Sequence, residues 1–551
     1  MSFSFLSMLR ACLGDLTFVC SLIFSNFDNG GFYWERQEYA NLFSYSIDHV
    51  CLFNYIRIRI MIRVTEATLQ DSSFPRSRST IWIVALGTFM CSFDLNAVNM
   101  ALPLMQSAFS ATTAVVEWVV VAYLLTLSSL LLGFGRLGDI GGHKRVFVAG
   151  FAVFTLASLC CALSPSIGVL IACVTAQGLG AAMLLSTSTA VLVSAVPPDR
   201  RGRSLGILSI AIALATCAGP SLGGLIATQF GWKGVYLANL PLGILGTIGA
   251  VALIEDRGPS ASSARRGRFD LVGCVLVAAF LAATVLPLDL LSASMSSGPL
   301  ILLALAALLA VAFVAVERRA SQPLLDLALF KSKAFAAGNL AALLFFASEF
   351  AMVFMAPFFL QRMAGLSPTQ AGLTMLPMSI ALMAVAPLSG ALSDRMDGRV
   401  LGCSGLVLIA VAELAFSLPS VQATPSLRIL AFAAVGVGIG LFTPPNTSAV
   451  MGSAPGERRG IAGATLATMK NVGMVVGEAL SAMILSSTMA ARGLGLGEGA
   501  GSPAWKGAFE TAMRGVCLAA AGAALLAALL TTARSMGEPA EPEAAGSLGG
   551  A

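Results

Sequence analysis

Charge is what this sequence has least of. Only 11% of its 551 residues are Asp, Glu, Lys or Arg, against about 25% in soluble globular domains. With 57% hydrophobic residues and a mean hydropathy of +0.85, so long a chain cannot cover itself with polar surface, and lipid is the solvent it fits. Histidine is nearly absent. His49 and His143 are the only two, too few for a histidine-rich metal centre. Eight of the eleven cysteines lie in apolar runs and none has metal-ligand spacing with a histidine, so they read as small buried apolar residues rather than a disulfide framework or a metal site. The net charge of +5 is modest, and no basic run is interleaved with aromatics, which argues against nucleic acid. A Walker loop is missing too, so neither an ATP-driven pump nor an ATP-using enzyme is indicated. The expectation is a protein that is no enzyme and has no metal or cofactor.

What the chain does have is long apolar runs. A helix needs about 20 apolar residues to cross the bilayer core. Fourteen segments qualify, over 79–103, 114–134, 146–164, 168–194, 204–228, 234–254, 270–290, 298–316, 334–360, 369–391, 400–418, 427–450, 461–488 and 507–532. The fold class expected is therefore all-α membrane protein. The loops give its orientation, because Lys and Arg accumulate on the cytoplasmic side. Eighteen of them fall in the loops after even-numbered spans and five on the other side. Both termini and the 133–146 loop should then be cytoplasmic, with the protein in the inner cell membrane.

Two motifs recur. "PPDRRG" at 197–202 and "PGERRG" at 455–460 share P-x-x-R-R-G, and "GRLGD" at 135–139 and "GALSD" at 390–394 share G-x-L-x-D. Parallel repeats of this kind mark transporters. They divide the chain into a six-helix bundle at 79–254, a linker with two inserted helices at 255–333, and a second six-helix bundle at 334–532. Residues 1–78 stand apart. They hold four of the six tyrosines and nine of the 32 phenylalanines, and Arg10 and Asp15 interrupt their apolar stretch. They read as neither a signal peptide nor a span, and translation starting near Met61 is the expectation. The tail at 533–551 reads as disordered and cytoplasmic.

The stretch "GFGRLGDIGGHKRVF" at 133–147 fits G-x-G-x-x-G, yet it follows an apolar span and lacks the acidic residue that a dinucleotide site needs about 20 positions on. It resembles instead the G-x-L-x-D-R-x-G-R-K loop of the major facilitator superfamily. The resemblance implies a cytoplasmic gating loop made of Gly135, Gly138, Asp139, Gly142, Lys144 and Arg145, with Asp139 pairing to a neighbouring helix in the outward-open state. Ile140 and His143 depart from the pattern, which weakens the latch. "ATCAGPSLGGLIA" at 215–227 resembles the G-x-x-x-G-P-x-x-G-G motif of exporters in that superfamily, through Gly219, Pro220, Gly223 and Gly224. "FDLNAVNMALP" at 93–103, "WKGVYLANLPLG" at 232–243, "FDLVG" at 269–273, "ERRASQPLLDLALF" at 317–330 and "FFLQRMAGLSPTQAG" at 358–372 are similar to the fourteen-helix drug:proton antiporter branch. The fold implied is two six-helix bundles plus two inserted helices. The helix-four motif R-x-x-Q-G-x-G-A-A matches from Gln177 onward, but Val174 stands where the family has an arginine linked to proton movement.

A charge at bilayer depth costs at least about 2.5 kcal/mol on insertion scales, so it is a functional candidate. Asp94, Glu349, Glu478 and Glu413 are the proton-coupling candidates, although Glu413 lies near a helix end where it could simply reach water. Lys470, Gln177 and Phe350 are the substrate-cavity candidates. Burial disfavours the charged form of a carboxylate. Such a group can take a proton from outside and release it inside as exposure alternates, and a cationic substrate competing for it would be expelled. The phenylalanines around Glu349 suit an amphipathic substrate, or face lipid.

The resemblance thus implies an antiporter driven by the proton-motive force, exporting amphipathic organic compounds such as drugs, dyes and antiseptics. The alternatives are a dedicated exporter of an endogenous secondary metabolite, an uptake permease, or a membrane protein that does not transport. The partners expected are small amphipathic substrates and the lipid bilayer, with a periplasmic adaptor only in a Gram-negative cell.

Overall fold

The computed structural model describes residues 75–197, 201–255, 328–393, 395–455, 459–494 and 502–533, with six isolated positions between 256 and 327. The chain divides into two units, Met1–Pro75 and Arg76–Ala551, and the described residues belong almost wholly to the second. The expected spans at 270–290 and 298–316, the extension 1–78 and the tail therefore lie outside the described residues or at their edge.

Among the described residues every element is a helix, and twelve are long. In chain order they are α1 (Pro75–Phe109), α2 (Thr113–Gly141), α3 (His143–Leu163), α4 (Ile167–Ala195), α5 (Arg201–Leu237), α6 (Asn239–Leu253), α7 (Lys333–Phe358), α8 (Pro368–Ser393), α9 (Gly398–Phe416), α10 (Pro425–Gly452), α11 (Arg459–Ala490) and α12 (Pro503–Thr532). By length and apolarity ten helices in the described residues can cross a membrane, or eleven with the bent run of α2. That figure takes Ser204–Leu253 as one run of 50 residues. At 1.5 Å per residue such a run is about 75 Å long, more than twice the bilayer core. It is broken at Gly231, whose φ of 68° is open to glycine but costly to other residues. The chain turns there and crosses twice. α5 stays helical through Pro220.

The two sets of six helices repeat one packing plan. In the first, α3 packs on α4 and α6, α2 on α4, and α1 on α5; in the second, α9 packs on α10 and α12, α8 on α10, and α7 on α11. The halves meet through α5 against α8 and α2 against α11, a pair of seams that the same repeat relates.

The motif at 133–147 is no nucleotide-binding turn. α2 runs on to Gly141, the reversal occupies the single residue Gly142 at φ 96°, and α3 starts at His143. This Gly142 end of the molecule faces away from the Gly365 end, where the links α1–α2 and α7–α8 lie.

Candidate functional site

The exporter-type motif sits on both seams of α5. A Cβ on Gly219 would meet Asn96 of α1 at 2.3 Å, and one on Gly223 would meet Ala97 at 2.6 Å. One residue further round, a Cβ on Gly224 would meet the Pro368 carbonyl of α8 at 2.2 Å, and Gly372 returns the contact against the carbonyl of Pro220. The small residues thus draw α5 against α1 within its own half and against α8 across the halves.

The contact between halves is polar as well. Gln361 donates to the Met100 carbonyl at 2.9 Å, and Arg362 donates to the Pro103 carbonyl at 3.1 Å and to Ser107 Oγ at 2.5 Å. Thr369 bonds Thr228 Oγ1 at 2.8 Å, and Ser379 donates to the Thr216 carbonyl at 3.3 Å. These links run from the Gly365 end to mid-depth, so the halves are clasped at that end. At the Gly142 end, Asp139 lies beside His143, across the reversal at Gly142, with Nε2 and Oδ1 3.3 Å apart. Lys144 donates to the Val251 carbonyl at 3.0 Å, inside its own half. The Asp139–His143 contact is thus local to the loop.

Asp94 lies at the middle of α1 and is only 2% exposed. Fifteen residues separate it from either end of the Ser79–Phe109 span, about 22 Å each way. It borders a small cavity inside the first bundle, lined also by Leu95, Val98, Tyr123, Val174, Gln177 and Tyr236. Asn239 Nδ2 donates to its Oδ1, and Gln177 is its other amide neighbour. Gln177 Nε2 donates to Ser158 Oγ at 2.9 Å. Val174, at the family's arginine position, forms part of the wall. Gln177 thus belongs with Asp94 inside the first bundle, whereas Lys470 and Phe350 lie on helices of the second.

The second bundle gathers its charges differently. Ser348 of α7 donates to both oxygens of Glu413 of α9, at 2.8 and 3.0 Å. Glu413 is fully buried, so it does not reach water from its helix end; the hydroxyl takes the place of solvent. Next to Ser348 is Glu349, within electrostatic reach of Glu413 and of Lys470 on α11. The ammonium of Lys470 lies over the Phe346 ring, 4.7 Å from its centroid, a cation–π contact. Glu478 stands apart: it is fully buried, and neither oxygen has a hydrogen-bond partner among the described residues. The phenylalanines of α7 do not face lipid. Phe345, Phe346, Phe350, Phe354 and Phe358 are all buried, because the span Lys333–Met363 lies almost wholly inside the protein.

Tyr123, Tyr236 and Asn239 are part of the Asp94 site that sequence reasoning missed. The signal was present, since Tyr236 and Asn239 both lie in the "WKGVYLANLPLG" stretch, but their contact with Asp94 spans some 145 residues of chain. Glu117 and Arg428 are also buried. Each sits within a turn of a helix start, where a charge ordinarily reads as solvated.

Comparison with known proteins agrees with this geometry. Residues 84–478 match the model of the Major Facilitator Superfamily. The chain is 32% identical over 422 residues to the multidrug resistance protein Stp of Mycobacterium tuberculosis, covering 75% of this chain and 76% of that one. It is 32% identical to the methylenomycin A resistance protein of Streptomyces coelicolor, with 74% and 86% covered. It is 28% identical to the riboflavin transporter RibZ of Clostridioides difficile, with 74% and 88% covered. Among solved structures, an inward-facing, unoccupied bacterial homologue of the human lysosomal transporter Spinster superposes with a TM-score of 0.62 at 16% identity, covering 84% of this chain and 97% of that one. The chain is a multi-pass membrane transporter and belongs to the major facilitator superfamily.

Proposed function

We propose that this transporter expels amphipathic organic compounds across the bacterial cytoplasmic membrane in exchange for protons. The observation that carries the reading is Asp94, a carboxylate at mid-span with neutral neighbours and no cation at position 174. Such a group is unstable as a permanent charge in lipid, and taking and releasing a proton as access alternates relieves that. Relatives at about this identity that bear resistance names support the substrate class. The loop charges put the Gly142 end in the cytoplasm, with both termini there. A molecule clasped at the Gly365 end is then in the state that loads from the cytoplasm.

The test is dye efflux in inverted vesicles with a proton-gradient readout. Uptake of dye into the vesicles with dissipation of the gradient is expected; dye movement indifferent to the gradient would overturn the coupling. The relative named a riboflavin transporter favours a second reading, a carrier for one compound. A panel in which a single compound moves and the dyes do not would select it.

A further inference from the structure

Neither α3 nor α4 belongs to the seams between the halves, and a pair of thiols lies where they pack together. Their backbones touch. A Cβ on Gly150 would meet the Leu184 backbone nitrogen at 3.0 Å, and one on Gly180 would meet the Phe154 nitrogen at 2.5 Å. Gln177 donates to Ser158 across the same interface. Each turn forward on α3 thus faces a turn back on α4. The next turn brings Cys160 and Cys161 opposite Cys173, and the Cys160 and Cys173 side chains are in hydrogen-bond contact.

These two thiols do not fill a core. Cys161 is fully buried, as a cysteine used as a small apolar residue is. Cys160 is exposed and Cys173 half-buried. Cys160 shares a helix face with Leu156 and Leu163, both more than half exposed, a stripe that turns to lipid. α3 ends at Leu163, and Ser164 and Ser166 lie in the link to α4. Cys160 is therefore about 4.5 Å below the helix end, within an interfacial layer about 5–7 Å deep, where solutes from water arrive. Among the described residues no three His, Cys, Asp or Glu side chains gather as metal ligands, which leaves the pair to react with each other. A bridge needs Cα atoms within about 7 Å and Cβ vectors that meet. The close helix packing supplies the first and the thiol contact the second.

We propose that Cys160 and Cys173 are a dithiol site that a soluble disulfide on the external side closes into a covalent bridge between α3 and α4. The side rests on the reading that puts the Gly142 end in the cytoplasm. The α3–α4 link is at the other end, where disulfides persist in bacteria. One cysteine, as thiolate, attacks the oxidant's S–S bond, giving a mixed disulfide and releasing one thiol. The second cysteine displaces the other half of the oxidant. One S–S bond breaks and one forms, the protein sulfurs are oxidised, and their two protons leave on the two released thiols.

The purified full chain is equilibrated with oxidised or reduced glutathione, its free thiols are alkylated, and intact mass and a peptide map are recorded. The oxidised chain should be lighter by two hydrogens before alkylation, carry no glutathione, and show residues 160 and 173 joined. Its unfolding midpoint should rise on oxidation, as closing a loop in the unfolded chain requires. Cys160→Ala and Cys173→Ala should abolish both effects, and Cys161→Ala should keep them. A membrane-impermeant maleimide should label reduced intact cells more in the parent than in Cys160→Ala, with no such difference in sealed inverted vesicles. Glutathione adducts without a bridge, or a bridge that survives Cys160→Ala, would overturn the dithiol site while leaving the orientation standing. A bridge in the purified chain with the Cys160-dependent label only in inverted vesicles would overturn the external oxidant and the orientation together.

Discussion

The two halves share a helix plan and divide their chemistry unequally. In the first, one carboxylate sits in a bundle core among amides and phenols, with Asn239 hydrogen-bonded to it. In the second, Glu349, Glu413 and Lys470 share one neighbourhood across three helices, and Glu478 lies further along α11 without a hydrogen-bond partner among the described residues. A repeated backbone does not dictate repeated electrostatics. The packing plan depends on small residues at helix crossings, which both halves supply. Charges are added one at a time, and each must meet the cost of its own burial.

The largest expected effect removes the acid of the first half. Asp94→Asn keeps the shape and hydrogen bonding to Asn239 but cannot take and give up a proton. Gradient-driven dye transport should fall to the level of vesicles without carrier, while folded protein reaches the membrane in normal amount. If transport persists, the second half carries the coupling alone, and Glu349 is the first residue to replace.

Steric blockade of the seam should come next. Gly224→Ala places a methyl group about where the Pro368 carbonyl already stands, 2.2 Å from the Cβ position. Backbone on both sides leaves little room to give, so the halves should part at the Gly365 end. Spin labels at Ser110 and Ser367 should report a longer mean distance in the variant. An unchanged distribution would show that the clasp tolerates the methyl group.

Glu478 offers a stability test that sets the two halves against each other. Its carboxylate is buried with neither oxygen hydrogen-bonded among the described residues, so Glu478→Leu should raise folded stability by about 1–3 kcal/mol, a few degrees in unfolding midpoint for a large chain. Asp94→Leu should lower the midpoint, because it strands the amide of Asn239. Both variants moving the same way would erase the distinction between a partnered and an orphan acid.

Much of this was legible in the residues. The twelve described long helices fall on the apolar runs, because roughly 20 apolar residues in lipid leave the backbone no alternative to a helix. The exporter-type glycines read as a flat face, and both seams use it. Less legible was anything set by packing between distant segments. Asp94 announced itself as a charge in a span, whereas Tyr236 and Asn239 look like ordinary interfacial residues until α6 is placed against α1. Glu413 read as a residue at a helix end. Only the position of Ser348 on α7 shows how it is satisfied without water. The 133–147 stretch differed for a local reason: α2 absorbs most of it, and only Gly142 has to leave the helix.

The smallest expected effect concerns the polar part of the clasp. Arg362 lies on a π-helical turn, Phe359–Met363, at the end of α7, a distortion that turns side chains off the regular helix face. It donates to the Pro103 carbonyl and to Ser107 Oγ in the last turns of α1, where the helix end carries partial negative charge. The contact is partly exposed, so its worth is discounted to about 1 kcal/mol, roughly a fivefold change in the ratio of clasped to open molecules. Arg362→Ala should therefore enlarge the open population in the Ser110–Ser367 distance distribution by about that factor, well short of Gly224→Ala. Arg362→Lys should fall between, since an ammonium keeps the charge but sits on a shorter side chain than the guanidinium nitrogen that donates to both acceptors. If alanine and lysine leave the distribution equally unchanged, the apolar seam of α5 and α8 alone holds the Gly365 end shut, and the two hydrogen bonds merely follow it.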